Sequence, residues 1–452
     1  GGGGSGDGWF EILRLVFELL RLCVYYPAIG LPIVGAILAF VIYQAIQNHR
    51  NKDWNSGPPV PLAASASAAP IAALDPDFSW VVFEDFAFRL FATAHGARGT
   101  PQLDALAPYV AEGARAMLAQ REPQGATVSR VIVGAQRIAR VEPEGNAQQR
   151  IVVEYEANYT TLTKAGEART WYTVEQWTFA RAAGARSKPP RAGRDFPCPN
   201  CGAPWQSVDA GGAQVCAYCN EVVDNGRFDW TVDAIALRHA DPRPPTVTNE
   251  VPERGDDVPT YTSATLSRDW QSLANADPAV TKDVLVQRGR LIYDALTAAW
   301  ATNDLKPARG FLSDGLYDYL GYWIETYRAQ GLRNELVDMR ITRTSLVKVT
   351  RDRYFDAVTL RIWATGKDYV VDRSGKTVRG SRNRERAYSE YWTFIRSAAR
   401  RGPVVTTSAC SNCGAPLAVA MTGACEHCGV HLTGGEFDWV LSKIEQDDTY
   451  RG

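Results

Sequence analysis

At 452 residues the chain has room for about three or four domains. Its 45% apolar and 22% charged residues are those of an ordinary globular protein, not of a disordered or fibrous one. A net charge of −1 excludes a whole-chain field that would draw nucleic acid, and none of the five histidines falls in an H-E-x-x-H pattern.

The first eight residues, Gly1-Gly2-Gly3-Gly4-Ser5-Gly6-Asp7-Gly8, form a Gly-rich tail that cannot pack. They carry no initiator methionine, so either the natural start was removed or the stretch is a fusion linker. Residues 9–50 read as an amphipathic helix followed by a single membrane span. From Trp9 to Leu22, Glu11, Arg14, Glu18 and Arg21 recur at helical steps and neutralise one another along one narrow stripe. Leu22 to Tyr43 then carries no charge, long enough for a bilayer core of about 30 Å. Pro27, Gly30 and Pro32 should break the helix, so the regular span is expected from Ile33, with Tyr25, Tyr26 and Tyr43 at the interfaces. Cys23 reads as a small residue facing lipid or a neighbouring helix.

Residues 51–74 are a Pro/Ala/Ser tether with no expectation of fold. An α+β unit follows over 75–182. Asp75-Pro76 looks like an N-cap and a first-turn proline, ahead of Trp80, Phe83, Phe86, Ala87, Leu90 and Phe91 at helical spacing. A second helix is predicted over Leu103–Leu118. The period then becomes two, predicting strands over Val128–Val133, Gln149–Tyr159 and Arg169–Phe179.

Next come cysteines. Cys198 and Cys201 are answered by Cys216 and Cys219, and the set closes on Phe228-Asp229-Trp230. The pattern returns with Cys410, Cys413, Cys425 and Cys428, closing on Phe437-Asp438-Trp439, so eight of nine cysteines are used. Paired C-x-x-C knuckles suit the tetrahedral thiolate geometry of zinc, and Gly202, Asn220, Gly414 and Gly429 suit the tight knuckle turn. Disulfides could join the same residues, although evenly repeated knuckles are unusual for a disulfide framework. Four thiolates fill a zinc shell, so a structural ion is expected rather than a catalytic one, two per chain. The expected ribbons span 195–240 and 408–442. Thiolates that hold metal also point to a reducing compartment.

After a Pro-rich linker (241–265) the plan repeats over 266–397. Asp75 and Asp277 are 202 residues apart, Trp177 and Trp392 are 215 apart, and the first knuckles are 212 apart. The closing phrases are 209 apart, and alignments this ordered read as an internal duplication.

Within the second unit, Ala299-Trp300, Leu312-Ser313-Asp314-Gly315-Leu316-Tyr317, Trp323-Ile324-Glu325 and Gln330-Gly331-Leu332-Arg333-Asn334 precede strands ending in Tyr391-Trp392-Thr393-Phe394. This stretch resembles the C-terminal domain of the inner-membrane translocase subunit 44 family, and Tyr26-Pro27-Ala28-Ile29-Gly30-Leu31-Pro32 is similar to the membrane segment of its bacterial members. The resemblance implies a fold like nuclear transport factor two, a curved antiparallel sheet wrapped by helices around an apolar pocket. It also implies contact with anionic lipid and a role in tethering at a membrane.

Other chemistry is thin. Ser374-Gly375-Lys376-Thr377 ends like a phosphate-binding loop, but Val370 stands where the first glycine is needed. His427 and His431 flank the last knuckle without being required as ligands. Glu175 and Glu390, equivalent in the two units, are the best candidates for a pocket acid; solvent exposure or pairing with arginine is the plainer expectation. Lys376, Arg379, Arg382, Arg384 and Arg386 form a basic hairpin tip, a solvated loop or a contact for anionic headgroups.

The expectation is an α+β protein with an N-terminal transmembrane helix and two such units, each carrying a four-cysteine zinc ribbon. It is expected in the inner membrane, single-pass, with the N-terminus outside and the bulk cytosolic. It would act without enzymatic chemistry, as an accessory or scaffold subunit docked on an integral membrane complex. The second reading is a lipid- or peptide-binding module using the apolar pockets. No catalytic residue, no small-molecule cofactor and no nucleic-acid partner are expected.

Overall fold

The computed structural model describes residues 17–19, 21–50, 66–67, 69–145, 148–190, 195–210, 213–242, 259–420, 422–447, 450 and 452. Two units divide the chain, Gly1–Gly57 and Pro58–Gly452. The stripe expected over Trp9–Leu22 lies largely outside the described residues. In the first unit residues 21–25 are helical, Tyr26 interrupts, and helix α1 (Pro27–Arg50) follows.

The helix breaks just before Pro27, as expected, but runs on through Gly30 and Pro32, a correction with local causes. Pro27 takes the first position, where its missing N–H costs nothing, and Pro32 forfeits only the bond to Ala28. Gly30 lies against the Cys23 backbone, where a Cβ would stand 2.6 Å from Cys23 Cα. Leu31, Leu38, Phe40, Val41 and Ile42 are all exposed. The described side chains run unbroken only to Tyr43, and among the described residues no helix is long and apolar enough to cross a membrane. The crossing expected over Leu22–Tyr43 is therefore not shown.

The second unit holds two sheets on one plan. The tether does not stay unstructured: α2 (Ala69–Leu74) buries Ile71 fully, and Ala66 N–H donates to the Ile138 carbonyl at 2.7 Å. Burying such a side chain contributes about 2 kcal/mol, enough to hold a short segment down. The N-cap of α3 (Trp80–Gly96) is Ser79, which accepts from Val82 N–H at 3.2 Å. Asp75 does not cap; Arg181 draws its carboxylate into the core. The helix expected over Leu103–Leu118 is a 3-10 turn (Pro101–Leu106) and α4 (Glu112–Ala119), separated around Pro108, which cannot donate to a helical ladder.

Strands β1 (Thr127–Gly145), β2 (Gln148–Leu162) and β3 (Ala168–Ala182) are antiparallel neighbours. β1 far exceeds Val128–Val133 because four register shifts interrupt its alternation. The first ribbon follows, built around the hairpin β4 (Ser207–Ala210) and β5 (Ala213–Cys216). The chain then returns as β6 (Thr231–Asp241), which pairs with β3 and completes the order β1-β2-β3-β6. The ribbon is thus inserted between neighbouring strands of one sheet, not appended to a finished domain, and 231–241 belongs to the sheet.

The second half repeats this with α5 (Leu266–Ala276), α6 (Lys282–Ala301), a 3-10 turn (Lys306–Phe311) and α7 (Asp314–Ala329). Thr281 and Ser313 cap α6 and α7. Its sheet has the order β11-β10-β8-β7, from β7 (Arg333–Arg351), β8 (Phe355–Val371), β10 (Arg386–Ser397) and β11 (Val440–Gln446), with the short β9 (Thr377–Gly380) on β8. β11 extends past the ribbon limit expected at 442.

Registers coincide. Trp177 faces Ile235 and Trp392 faces Ile444; both strand pairs slip at Thr178/Phe179 and at Thr393/Phe394. Parallel bridges Val110–Val232 and Leu312–Leu441 occupy matching places. The extra residues of the second half lie in the longer α7 and in the β8–β10 connection that carries β9. The end of the expected linker 241–265 is also ordered, with Tyr261 N–H donating to Tyr391 Oη at 2.9 Å and Ser263 N–H to the Val347 carbonyl at 2.8 Å.

The two halves meet through apolar packing, with Val81 against Ala357, Ile395 and Val440, and through polar contacts. Ser79 Oγ donates to Asp352 Oδ2 at 2.8 Å, and Lys443 Nζ lies 2.5 Å from Glu84 Oε1.

Candidate metal centres

The structure brings all eight predicted ligands together in two clusters, Cys198, Cys201, Cys216 and Cys219, then Cys410, Cys413, Cys425 and Cys428. Within each, the ligand atoms lie within 4.8 Å of one another. Sγ–Sγ separations are 3.8 Å for Cys198–Cys219, 3.9 Å for Cys201–Cys216 and 3.9 Å for Cys410–Cys428. A disulfide needs about 2.05 Å. A tetrahedron with metal–sulfur bonds of about 2.3 Å has edges of about 3.8 Å, which these sulfurs match. The cysteines are free, and each cluster could hold one metal ion.

Local backbone makes the knuckles. Gly202, Asn220, Gly414 and Gly429 have φ of 76°, 56°, 75° and 73°, the left-handed turn their sequence position predicted. Each knuckle closes with an N–H returning to the first cysteine's carbonyl, Gly202 to Cys198 and Gly414 to Cys410 at 2.9 Å. Asn200 Nδ2 and Asn412 Nδ2 donate to Cys219 Sγ and Cys428 Sγ, both at 3.5 Å.

These donors favour the thiolate, the form that binds metal. The Asn200 amide and the Glu221 N–H bring Cys219 down to about 7. The Val430 N–H and the Asn412 amide bring Cys428 down to about 6. Burial pushes Cys198 up to about 12.

His431 is not among the ligands. Its Nε2 lies 3.1 Å from Thr433 Oγ1, and hydrogen bonds with Asp314 and Glu436 raise its pKa to about 9. The imidazolium ties the second ribbon to the start of α7. His427 also stays outside both clusters.

Each ribbon rests on a buried pair that sequence reasoning missed. Arg181 Nη2 lies 2.7 Å from Asp75 Oδ2, and its guanidinium covers the Trp230 ring at 4.4 Å. Arg396 Nη2 lies 2.9 Å from Asp277 Oδ2, over the Trp439 ring at 4.8 Å. Arg181 and Arg396 are 215 apart, as are Trp177 and Trp392, so the repeat offset held the signal. The Phe-Asp-Trp phrase thus ends each ribbon by placing a tryptophan under an arginine of the sheet.

Glu175 and Glu390 have parted. Each accepts from the indole N–H two residues on, Trp177 and Trp392, at 2.9 Å. Glu175 is wholly buried, 3.3 Å from His95 Nε2 and bonded to Arg121. Burial would raise its pKa, but His95 and Arg121 outweigh that and hold it well below the carboxylate range. Burial lowers the pKa of His95, against the pull of Glu175. Glu390 accepts from Gln446 Nε2 at 2.8 Å instead. The apolar pocket implied for the first half is filled: Phe91 packs on Tyr155 at 4.3 Å and His95 on Tyr159 at 4.8 Å.

The basic tip is not one cluster. Arg379 is buried, Arg382 covers the Tyr369 ring at 5.1 Å, and Arg386 Nη1 pairs with Asp368 at 3.1 Å. Lys376 and Arg384 are exposed. The Ser374–Thr377 turn is closed by Asp372, which accepts from Ser374 N–H at 2.8 Å and Lys376 N–H at 3.1 Å; a carboxylate stands where a phosphate would bind.

The second half, with helices on one side of its antiparallel sheet, fits a known profile. Residues 267–405 match the Tim44-like domain family. The Tim44-like stretch ends at Val405, before the first knuckle and before β11. The chain is also similar to a solved structure described as "Ntf2 like protein involved in plasmid conjugation", at 10% identity and a TM-score of 0.19, covering 80% of this chain and 94% of that one. No curated protein matches the chain.

Proposed function

We propose that the chain is a membrane-anchored, non-enzymatic accessory subunit that docks on a larger integral membrane complex. Two zinc-stapled modules form its cytosolic platform. The observation that carries this reading is α1, a helix of a separate unit with Leu31, Leu38, Phe40, Val41 and Ile42 exposed. Such a surface is unfavourable in water and calls for lipid or a partner helix. Eight free sulfurs set for metal support a reducing, cytosolic side for the modules, with the N-terminus across the inner membrane. The Tim44-like stretch supports a tethering role by family analogy. The exposed Lys376, Arg382, Arg384 and Arg386 would add contact with anionic headgroups.

The test is isolation of the native protein from solubilised membranes. The expected result is co-migration with integral membrane proteins and about two zinc ions per chain. Recovery as a metal-free soluble monomer, absent from the membrane fraction, would end the reading.

A further inference from the structure

Three buried arginines are each held by an acid, Arg181 by Asp75, Arg361 by Asp447 and Arg396 by Asp277. Arg288 instead spends Nε, Nη1 and Nη2 on the Trp439 and Val405 carbonyls. Arg98 has neither arrangement. It follows α3 and precedes Gly99, whose φ is 70° and where a Cβ would stand 2.5 Å from the Ala126 carbonyl oxygen. That tight turn sets Arg98 into the interior, 2% exposed. Its Nη2 donates to the Arg121 carbonyl at 3.3 Å, and its Cζ stands 5.3 Å from the Tyr159 ring centre. Nη1 is buried and has no hydrogen-bond partner among the described residues.

Glu175, the nearby carboxylate, is already spent. Arg121 takes Oε1, while His95 Nε2 and Trp177 Nε1 reach Oε2 at 3.3 and 2.9 Å. The Arg121 side chain is itself only 10% exposed, and the Tyr159 hydroxyl lies beside both guanidinium groups. Two groups that stay charged at any pH thus share one carboxylate. One positive charge is left over in a water-poor interior, which is costly unless a counter-ion joins it. A water molecule would satisfy the Nη1 donor but not the charge. The second half shows that the frame does not need this cluster. At a spacing of 202, Arg98 falls on Trp300, whose Nε1 donates to Asn334 Oδ1 at 2.8 Å, an uncharged pair.

We infer that the first half binds one halide ion at Arg98 Nη1, beside Arg121 and the Tyr159 hydroxyl. The single leftover charge calls for a monovalent anion. His95, Arg98, Tyr159 and Glu175 are each 2% exposed or less, so the surround admits a small ion and nothing with a tail. The ion would neutralise the charged interior that distinguishes this half from the other. The inference goes beyond the accessory-subunit reading and does not rest on it.

The test uses the zinc-loaded full chain in detergent micelles, with bromide or chloride set against gluconate at one ionic strength. Gluconate carries the same charge but is too large to enter. Amide exchange in β2 and β3 should slow by about tenfold once halide is about ten times above its dissociation constant, with β8 and β10 unchanged. Crystals grown in bromide should show an anomalous peak within hydrogen-bond reach of Arg98 Nη1. Arg98→Met should abolish both signals, and if that variant does not fold, the peak in the parent decides. Equal exchange in halide and gluconate overturns the inference in favour of a water molecule. So does equal slowing in β8 and β10, a general salt effect, or a response that Arg98→Met keeps. Bromide only on exposed arginines, an adventitious ion only, overturns it as well. Protection by formate but not by halide also overturns it, in favour of a carboxylate ligand.

Discussion

Glu175 and Glu390 hold the same register position beside the same tryptophan, yet one is sealed in a charged core and the other reaches a glutamine near the surface. The difference lies in what surrounds them. At a spacing of 202, His95 and Arg121 fall on Thr297 and Trp323, so the second half supplies neither partner. A duplicated frame has kept its staples, the metal knuckles and the Asp–Arg–Trp stack, while its interior polar groups have diverged. Shared parts are structural by this comparison, and unshared parts are where the halves can differ in task.

The comparison breaks most visibly if metal is unequal in the two ribbons. Cys216→Ala and Cys425→Ala should each lose one zinc and release the strand beyond, β6 or β11, seen as faster amide exchange there. The site's apparent binding energy of about 10–16 kcal/mol makes this the largest effect. Retention of both ions by either variant would contradict the four-sulfur assignment.

Next are Arg181→Met and Arg396→Met. Each strands a buried aspartate, and each should cost about 3–5 kcal/mol in denaturant unfolding, alike in the two halves. A large loss in one and none in the other would show that the stacks are not equivalent.

Glu175→Gln should cost about 3 kcal/mol by leaving Arg121 without its counter-ion. Glu390→Gln should fall within about 0.5 kcal/mol of the parent. The pH sign follows from two lowered pKa values. Glu175 contributes stability above its ordinary 4.5 and loses it as pH falls toward the lower folded value. His95, whose pKa burial lowers, costs stability as pH falls below the unfolded imidazole's 6.5. Acidification from pH 7 to 4 should therefore loosen the first half before the second, with amide exchange in β2 and β3 as the readout.

The smallest effect belongs to His431. Its raised pKa contributes stability below 6.5 that is lost as pH rises through about 9. The position 209 residues earlier is Val222, so only the second ribbon should respond. Thermal scans of the parent and His431→Asn should converge between pH 7 and 10; a constant gap would remove the ion pairs from the account.

Much of this was legible in residue order. Cysteine spacing named all eight sulfurs, and the offsets 202, 215 and 209 anticipated the matched registers. What escaped was set by distant partners. Asp75 reads locally as a helix cap, and only Arg181, 106 residues away, explains why it is not one. The strands after each ribbon were hidden because periodicity cannot tell a ribbon's tail from a returning sheet strand. Bulges in β1 erased its alternation, and the ordered end of the tether turned on one buried side chain, Ile71.

The placement of each ribbon between neighbouring strands has a cellular corollary. A newly made chain short of metal would leave Trp177 and Trp392 facing an unpaired border, a ready template for strand addition by another chain. Trace-element supply during synthesis would then govern not only how much of this protein matures but whether the remainder aggregates.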